Sequence, residues 1–191
     1  MRIIAGKYKG RVIKFPNSKL VRPTTDKVKE SLFNYLIHNY DLDEMKVCDI
    51  YAGSGSLGLE ALSRGASSVH FVEKDFHVSK MLQENILSLG AEEVCKVFKM
   101  EAVKFSKITE HDRYDLILAD PPFFKDDIHT VAENILKNNF LTDNGMMIIE
   151  RSIQTQEIDY KAFGVEPFKR IGDSLIYNFS NMSGSKTKSS E

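Results

Sequence analysis

Two short stretches combine residue types that can do chemistry. The first, Asp49-Ile50-Tyr51-Ala52-Gly53-Ser54-Gly55-Ser56-Leu57-Gly58, holds a G-x-G-x-x-G pattern between an apolar run and a helical one. Glycines there let the backbone turn tightly and come close to a ligand. Glu73 closes the next apolar run, where a carboxylate can accept hydrogen bonds from both hydroxyls of a ribose. Nicotinamide dinucleotides and S-adenosylmethionine both fit such a turn. A pyrophosphate, however, needs helix N-terminal N–H groups without a carboxylate beside them. Asp49 would repel it but can hold the α-ammonium of a methionine moiety, which tips the balance to S-adenosylmethionine. The second stretch, Tyr114-Asp115-Leu116-Ile117-Leu118-Ala119-Asp120-Pro121-Pro122-Phe123, is an apolar run ending in D-P-P-F. Prolines lack N–H groups, so the chain leaves the sheet with its carbonyls available. Asp120 and the Pro121 carbonyl can each take a hydrogen from the exocyclic amine of a nucleobase, and Phe123 offers a ring for base stacking. That amine's lone pair is delocalised into the ring and nucleophiles poorly. Two acceptors gripping its hydrogens favour pyramidalisation and aim the lone pair at a sulfonium methyl.

These stretches need a scaffold that brings them together, and the pattern of the chain supplies one. Short apolar runs at Lys46–Ala52, Ser68–Lys74, Cys95–Met100, Tyr114–Ala119 and Gly145–Arg151 read as strands. Helical patterns lie between them at Leu57–Arg64, Phe76–Leu89, Ala102–Lys107 and Asp127–Asn138. Alternation of this kind predicts an α/β fold with a mostly parallel sheet covered on both faces. Two last runs, Val165–Ile171 and Leu175–Asn181, are split by Gly172-Asp173 and read as a closing antiparallel hairpin. Before the sheet, residues 2–15 read as a short hairpin, Pro16 to Pro23 as a linker, and Val28, Leu32, Tyr35 and Leu36 as one face of a helix capped by Thr24 or Thr25. The expected organisation is a basic arm over 1–23, a catalytic domain over 24–182 and a disordered tail over 183–191.

Composition narrows the class. The 191 residues are 42% hydrophobic and 28% charged with only five prolines, which excludes a disordered or collagen-like chain. No apolar run approaches a membrane span, and Lys and Arg interrupt the N-terminus every few positions, so neither a spanning helix nor a signal core is expected. Cys48 and Cys95 match no zinc or redox spacing and read as small buried thiols of a reduced, cytoplasmic protein. The histidines (38, 70, 77, 111 and 129) are scattered, so no metal is expected. Charge is unevenly spread. The chain has 26 Lys+Arg and 27 Asp+Glu; residues 1–25 hold seven of the cations and no acid, leaving 19 cations against all 27 acids. A +7 arm on a −8 body points to a polyanion contact through the arm, with a merely solvated hairpin as the plain alternative.

The opening MRIIAGKYKGR, the segment Val21-Arg22-Pro23-Thr24-Thr25-Asp26-Lys27 and the run Ala52 to Gly65 closely resemble one family. It is the RsmD family, which methylates N2 of one guanine in bacterial 16S rRNA; the resemblance runs from Met1 to about Ser180. It implies a Rossmann-like class I methyltransferase with a seven-stranded sheet and an N-terminal β-hairpin extension. It implies S-adenosyl-L-methionine as donor, S-adenosyl-L-homocysteine as product and no metal. The partner implied is 16S rRNA in the small ribosomal subunit or its assembly intermediate, met by a monomer that touches no membrane. Carried over by position, Asp49, Gly53 and Gly55 meet the methionine end of the cofactor and Glu73 its ribose, with Tyr51 and Lys74 assigned to cofactor binding beside them. Glu101 and Ala102 stand where such enzymes read the adenine, usually with a shorter Asp or Asn, so the Ala102 N–H is the alternative reader. Asp120, Pro121, Pro122 and Phe123 match the target-amine site. Lys7, Lys9 and Arg11 of the arm are assigned to RNA, as are Arg22, Thr24 and Thr25, for which the cofactor cleft and helix capping remain alternatives. Two same-fold readings compete, an adenine-N6 methyltransferase and a non-catalytic assembly factor; a nicotinamide oxidoreductase leaves D-P-P-F unused.

Overall fold

The computed structural model describes residues 1–15, 26–122 and 126–180. Seven strands form one sheet: β1 (Lys46–Ile50), β2 (Ser68–Val72), β3 (Cys95–Phe98), β4 (Tyr114–Ala119), β5 (Leu141–Ser152), β6 (Lys169–Ile171) and β7 (Ser174–Ser180). Their order is β3-β2-β1-β4-β5-β7-β6. The first five are parallel, whereas β7 runs antiparallel to both β5 and β6. Helices α1 (Asp26–Asn39), α2 (Ser56–Ser63) and α3 (Phe76–Leu89) pack one face with Val47, Phe71, Leu118 and Ile148. Helices α4 (Ala102–Phe105) and α5 (Asp127–Lys137) pack the other with Ile50, Ile117 and Ile149. A sixth helix, α6 (Gln156–Phe163), follows β5. The winding direction reverses between β1 and β4, and ligands of such sheets sit over the carboxyl ends of the strands at that reversal.

Most strands appear where the apolar runs predict them, because strands covered on both faces are nearly uninterrupted Val/Ile/Leu-type sequence. The differences have identifiable causes. Helix α6 was not expected: its fully buried residue is Asp159, so its inward face carries no apolar stripe. Strand β5 begins earlier than the expected Gly145, and β6 later than the expected Val165. The expected N-terminal hairpin is present in short form, as an antiparallel Arg2–Val12 bridge with backbone bonds from Ile3 N–H to the Arg11 carbonyl (3.0 Å), Gly10 N–H to Ile3 (2.9 Å) and Ile13 N–H to Met1 (3.0 Å). The arm is held on the body by packing and by side-chain hydrogen bonds. Ile3 and Ile13 are each 1% exposed in the α1–α3 core. Glu60 of α2 accepts from the N–H groups of Ile4 (2.8 Å) and Ala5 (3.1 Å), and Ser63 Oγ from that of Tyr8 (2.9 Å). Of the two thiols expected to be buried, Cys48 is buried and Cys95 only half-buried, because β3 is the edge strand. The capping residues Thr24 and Thr25, the linker and the tail lie outside the described residues.

Candidate active site

The carboxyl ends of β1, β2 and β4 bring the two chemical stretches together. Asp49, next to last in β1, is 2% exposed, and its Oδ2 accepts a 2.8 Å hydrogen bond from the N–H of Gly58 in α2. Its carboxyl is raised to about 7, chiefly by burial and also by Asp120 and Glu73, against the Gly58 N–H, which lowers it. The effects of Asp120 and Glu73 place the three acids in one electrostatic neighbourhood. Two glycines have separate reasons. Gly55 turns into α2 at φ 84°, in the left-handed region that favours glycine, and a Cβ there would lie 2.5 Å from Leu82 Cδ1. Gly58 has an ordinary helical backbone, but a Cβ would lie 2.4 Å from Phe71 Cε1, so it is required for α2 to lie close on β2.

The second strand supplies the other wall. Glu73 accepts from the N–H groups of Gly53 (3.0 Å) and Asp75 (2.8 Å), which fixes the carboxylate at the mouth of the turn. Asp75 then caps α3 through the N–H groups of His77 and Val78, at 2.8 and 2.9 Å. Lys74 between them is exposed. Glu101 is exposed and its carboxylate lies 3.4 Å from Lys104 Nζ, whereas Ala102 is buried at the first residue of α4, where a helix N–H has no partner inside the helix. This arrangement favours Ala102 over Glu101 as the closer group to the site. Tyr51 adopts φ 64°, an uncommon conformation for a residue with a Cβ, and its hydroxyl donates to Asp127 Oδ1 at 3.1 Å. It thereby ties the glycine turn to the first turn of α5, directly after the D-P-P stretch. Burial, then Asp127, push this phenol well above its ordinary range.

Asp120 follows the last residue of β4 and is half-buried, Pro121 is buried and Pro122 exposed. Phe123 lies outside the described residues, as do Arg22, Thr24 and Thr25. In the arm, Lys7 and Lys9 are exposed, with the Lys7 ammonium 5.2 Å from the Tyr8 ring centre. The Arg11 guanidinium donates to the Ser88 carbonyl of α3, Arg2 pairs with Asp26 (3.2 Å) and Lys14 with Glu84 (2.9 Å).

Residues 1–179 match the family described as conserved hypothetical protein 95. Ribosomal RNA small subunit methyltransferase D of Haemophilus influenzae is 37% identical over 152 residues, covering 78% of each chain. Its namesake in Escherichia coli K12 is 35% identical over 156 residues, 81% of this chain and 76% of that one. This chain belongs to the RsmD family. The solved structure of the E. coli protein yhhF, described as a candidate methyltransferase, superposes with a TM-score of 0.78 at 28% identity, over 95% of this chain and 98% of that one. The RsmD-family chain therefore carries the Rossmann-like class I methyltransferase fold, with the glycine turn and D-P-P on neighbouring strand ends.

Sequence reasoning missed two buried charge clusters around this candidate site. Lys29 of α1 and Glu60 of α2, both fully buried, pair at 3.5 Å; Lys29 Nζ also donates to the Arg2 carbonyl (2.7 Å) and Ser56 Oγ (3.2 Å). A lone acid in the otherwise apolar SLGLEALS of α2 was the available signal. Arg151, at the end of β5, sets Nε 3.0 Å from both oxygens of buried Asp159, which also meets His129 Nε2 (2.7 Å) and Thr155 Oγ1 (2.6 Å). This cluster joins α5 to α6 and β5 behind the D-P-P stretch. Nothing in residue spacing announced it, because its members come from four separate elements.

Proposed function

We propose that this protein transfers a methyl group from S-adenosyl-L-methionine to the exocyclic N2 amine of a guanine in 16S rRNA of the small ribosomal subunit. One observation carries the reading: the Asp49 and Glu73 carboxylates around the glycine turn stand at strand ends beside Asp120-Pro121, in a family whose relatives bear the name ribosomal RNA small subunit methyltransferase D. The donor set suits a cation bearing a ribose. Asp49 and the turn would hold the methionine end, Glu73 the ribose hydroxyls and the Ala102 N–H the adenine. The bound cofactor supplies an electrophilic methyl on a positively charged sulfur. Asp120 and the Pro121 carbonyl hold the amine hydrogens and orient the nitrogen lone pair. Alignment of this kind is worth roughly 7–11 kcal/mol of barrier. As nitrogen forms its new bond to carbon it becomes cationic, and the Asp120 carboxylate stabilises that charge and accepts the departing proton.

Asp49 gives this reading a pH signature. A carboxyl with a pKa of about 7 is largely protonated at pH 6, and a cationic ligand favours its ionised form. Binding at pH 6 is therefore expected to release a proton, and cofactor affinity to rise about 10-fold between pH 6 and 8. Calorimetry in two buffers of different ionisation enthalpy measures both. Affinity independent of pH, with no proton release, would remove Asp49 from the cofactor site.

RNA affinity is assigned to the arm. All five described arm cations are exposed, but Arg2, Arg11 and Lys14 also bond to the body, so Lys7 and Lys9 are the two whose substitution leaves those contacts intact. Substituting both with Ala is expected to flatten the log–log salt dependence of RNA binding by about 1.4, with cofactor affinity unchanged. Point changes are needed because deleting residues 1–15 would strip Ile3 and Ile13 from the core. An unchanged slope would move the RNA footprint off the arm.

The direct experiment incubates the protein and methyl-labelled S-adenosylmethionine with small subunits that lack this methylation, with free 16S rRNA and duplex DNA in parallel. N2-methylguanosine from subunits supports the proposal in every part. Label in methyladenine keeps the D-P-P chemistry and overturns the base, and cofactor binding with no label favours a non-catalytic assembly role.

A further inference from the structure

The site as described grips an amine, and adenine, cytosine and guanine all carry one. The discrimination between them needs a group beyond Asp120. Strands β4 and β5 are parallel with Leu118 beside Ile148 and Ala119 beside Ile149, so the next residues, Asp120 and Glu150, stand side by side. Leu118 and Ile148 face the α1–α3 core while Ala119 and Ile149 face the opposite one. By strict strand alternation Asp120 and Glu150 follow Leu118 and Ile148 onto the same face. Asp49 shares that face two residues after Val47. Glu150 is 7% exposed, and Ser174 Oγ of β7 donates to its Oε1 at 2.7 Å, which fixes the carboxylate in place.

We propose that Glu150 reads the Watson–Crick edge of the target base, accepting the N1–H of guanine while Asp120 and the Pro121 carbonyl hold the neighbouring N2 amine. The inference rests on the guanine-N2 reading above and names the residue that makes it guanine. Neighbouring parallel strands lie about 4.8 Å apart, so two acceptors at one level meet adjacent donors along a single base edge. Guanine presents N1–H and N2–H₂ side by side. Adenine and cytosine place an acceptor nitrogen next to the amine, and its lone pair would face a carboxylate. A site built for a hydrogen bond rejects the analogue that lacks the donor, because the site's buried polar group is then left facing the wrong partner. Ser174 is in this scheme a positioning residue, acting through the carboxylate it orients.

The test uses 2-aminopurine, which keeps the N2 amine but has a lone pair at N1 in place of the proton. Small subunits are reconstituted from rRNA carrying either guanosine or 2-aminopurine riboside at the position that the wild-type protein methylates, and kcat/KM is measured on each. The wild-type protein is expected to prefer guanosine by roughly 100-fold. Glu150→Gln keeps the acceptor for Ser174 and presents an amide N–H to the base. It is expected to lose about 10- to 100-fold on guanosine and gain on 2-aminopurine, closing or reversing the preference. Comparing the wild-type ratio with the variant ratio cancels effects common to both proteins, including that of the O6 which 2-aminopurine lacks. Ser174→Ala, which leaves the charge in place, is expected to narrow the ratio several-fold and decides the matter if Glu150→Gln does not fold. A ratio unchanged in the folded variants, whatever the absolute rates, would overturn the role of Glu150 and leave the guanine-N2 reading standing. Absence of N2-methylguanosine with the wild-type protein would overturn that reading and this inference with it.

Discussion

Asp120→Ala is expected to bind S-adenosylmethionine within about threefold of the wild-type affinity while single-turnover methyl transfer falls by roughly 10²- to 10³-fold. Two functions are lost in one substitution. The amine loses the acceptor that aims its lone pair, and the nitrogen that becomes cationic loses the nearest carboxylate. Asp120→Asn keeps an acceptor oxygen and discards the charge, so its expected loss is smaller, about 10- to 30-fold, and separates the two contributions. A second readout belongs to the same variant. Asp120 helps push the Asp49 carboxyl up, so its removal is expected to move the pH midpoint of cofactor affinity below 7. Near-normal single-turnover rates in Asp120→Ala, or an unmoved midpoint, would take Asp120 out of the site.

The largest expected stability effect lies behind the glycine turn. Glu60 is fully buried, meets Lys29 at 3.5 Å and Arg64 at 2.7 Å, and accepts the arm's Ile4 and Ala5 N–H groups. Glu60→Ala leaves a buried ammonium and two backbone donors without their acceptor. Breaking a buried pair by removing one partner costs about 3–5 kcal/mol. For a chain of this size that lowers Tm by roughly 10 °C. Burial already holds the Lys29 ammonium below its usual range, and Glu60 is the chief influence in the other direction, so the orphaned lysine would neutralise more readily. Combining Lys29→Met with Glu60→Leu is expected to recover part of the loss, since apolar groups replace a buried pair at little cost. Recovery stays partial because the Ile4 and Ala5 N–H groups still have nothing to donate to. Scanning calorimetry of the two variants beside wild type measures it; a Tm for Glu60→Ala within about 2 °C of wild type would mean that the arm is not held through α2.

The parts of the site legible in the sequence are those whose chemistry needs particular residues in consecutive order. A glycine turn must be local, so Gly53, Gly55 and Gly58 announce it, and D-P-P-F must be local because two prolines and an acid share one strand exit. Glu73 was legible for a related reason: the strand that carries it ends where its apolar run ends. Glu101 and Ala102 were legible as alternatives, and the structure shows Glu101 exposed and paired with Lys104 while Ala102 is buried at the start of α4. The arm was legible as basic, whereas its docking through Ile3, Ile13 and the Glu60 carboxylate was not, because two isolated isoleucines carry no period.

The sequence by itself determined the strands and all helices but α6, the covered parallel sheet, the glycine turn and the acid-Pro-Pro strand exit, all of them consequences of hydrophobic period or of neighbouring residue types. Only the tertiary structure decided which acids meet. Asp49 is pushed to about 7 chiefly because the closed sheet buries it, with Asp120 and Glu73 adding to the shift from the flanking β4 and β2 ends. The register of β4 against β5, Ala119 beside Ile149, sets Asp120 and Glu150 at one level, and Lys29 reaches Glu60 through the packing of α1 on α2. Burial and Coulomb interaction depend on distances between elements far apart in the chain, and those distances exist only once the sheet has closed.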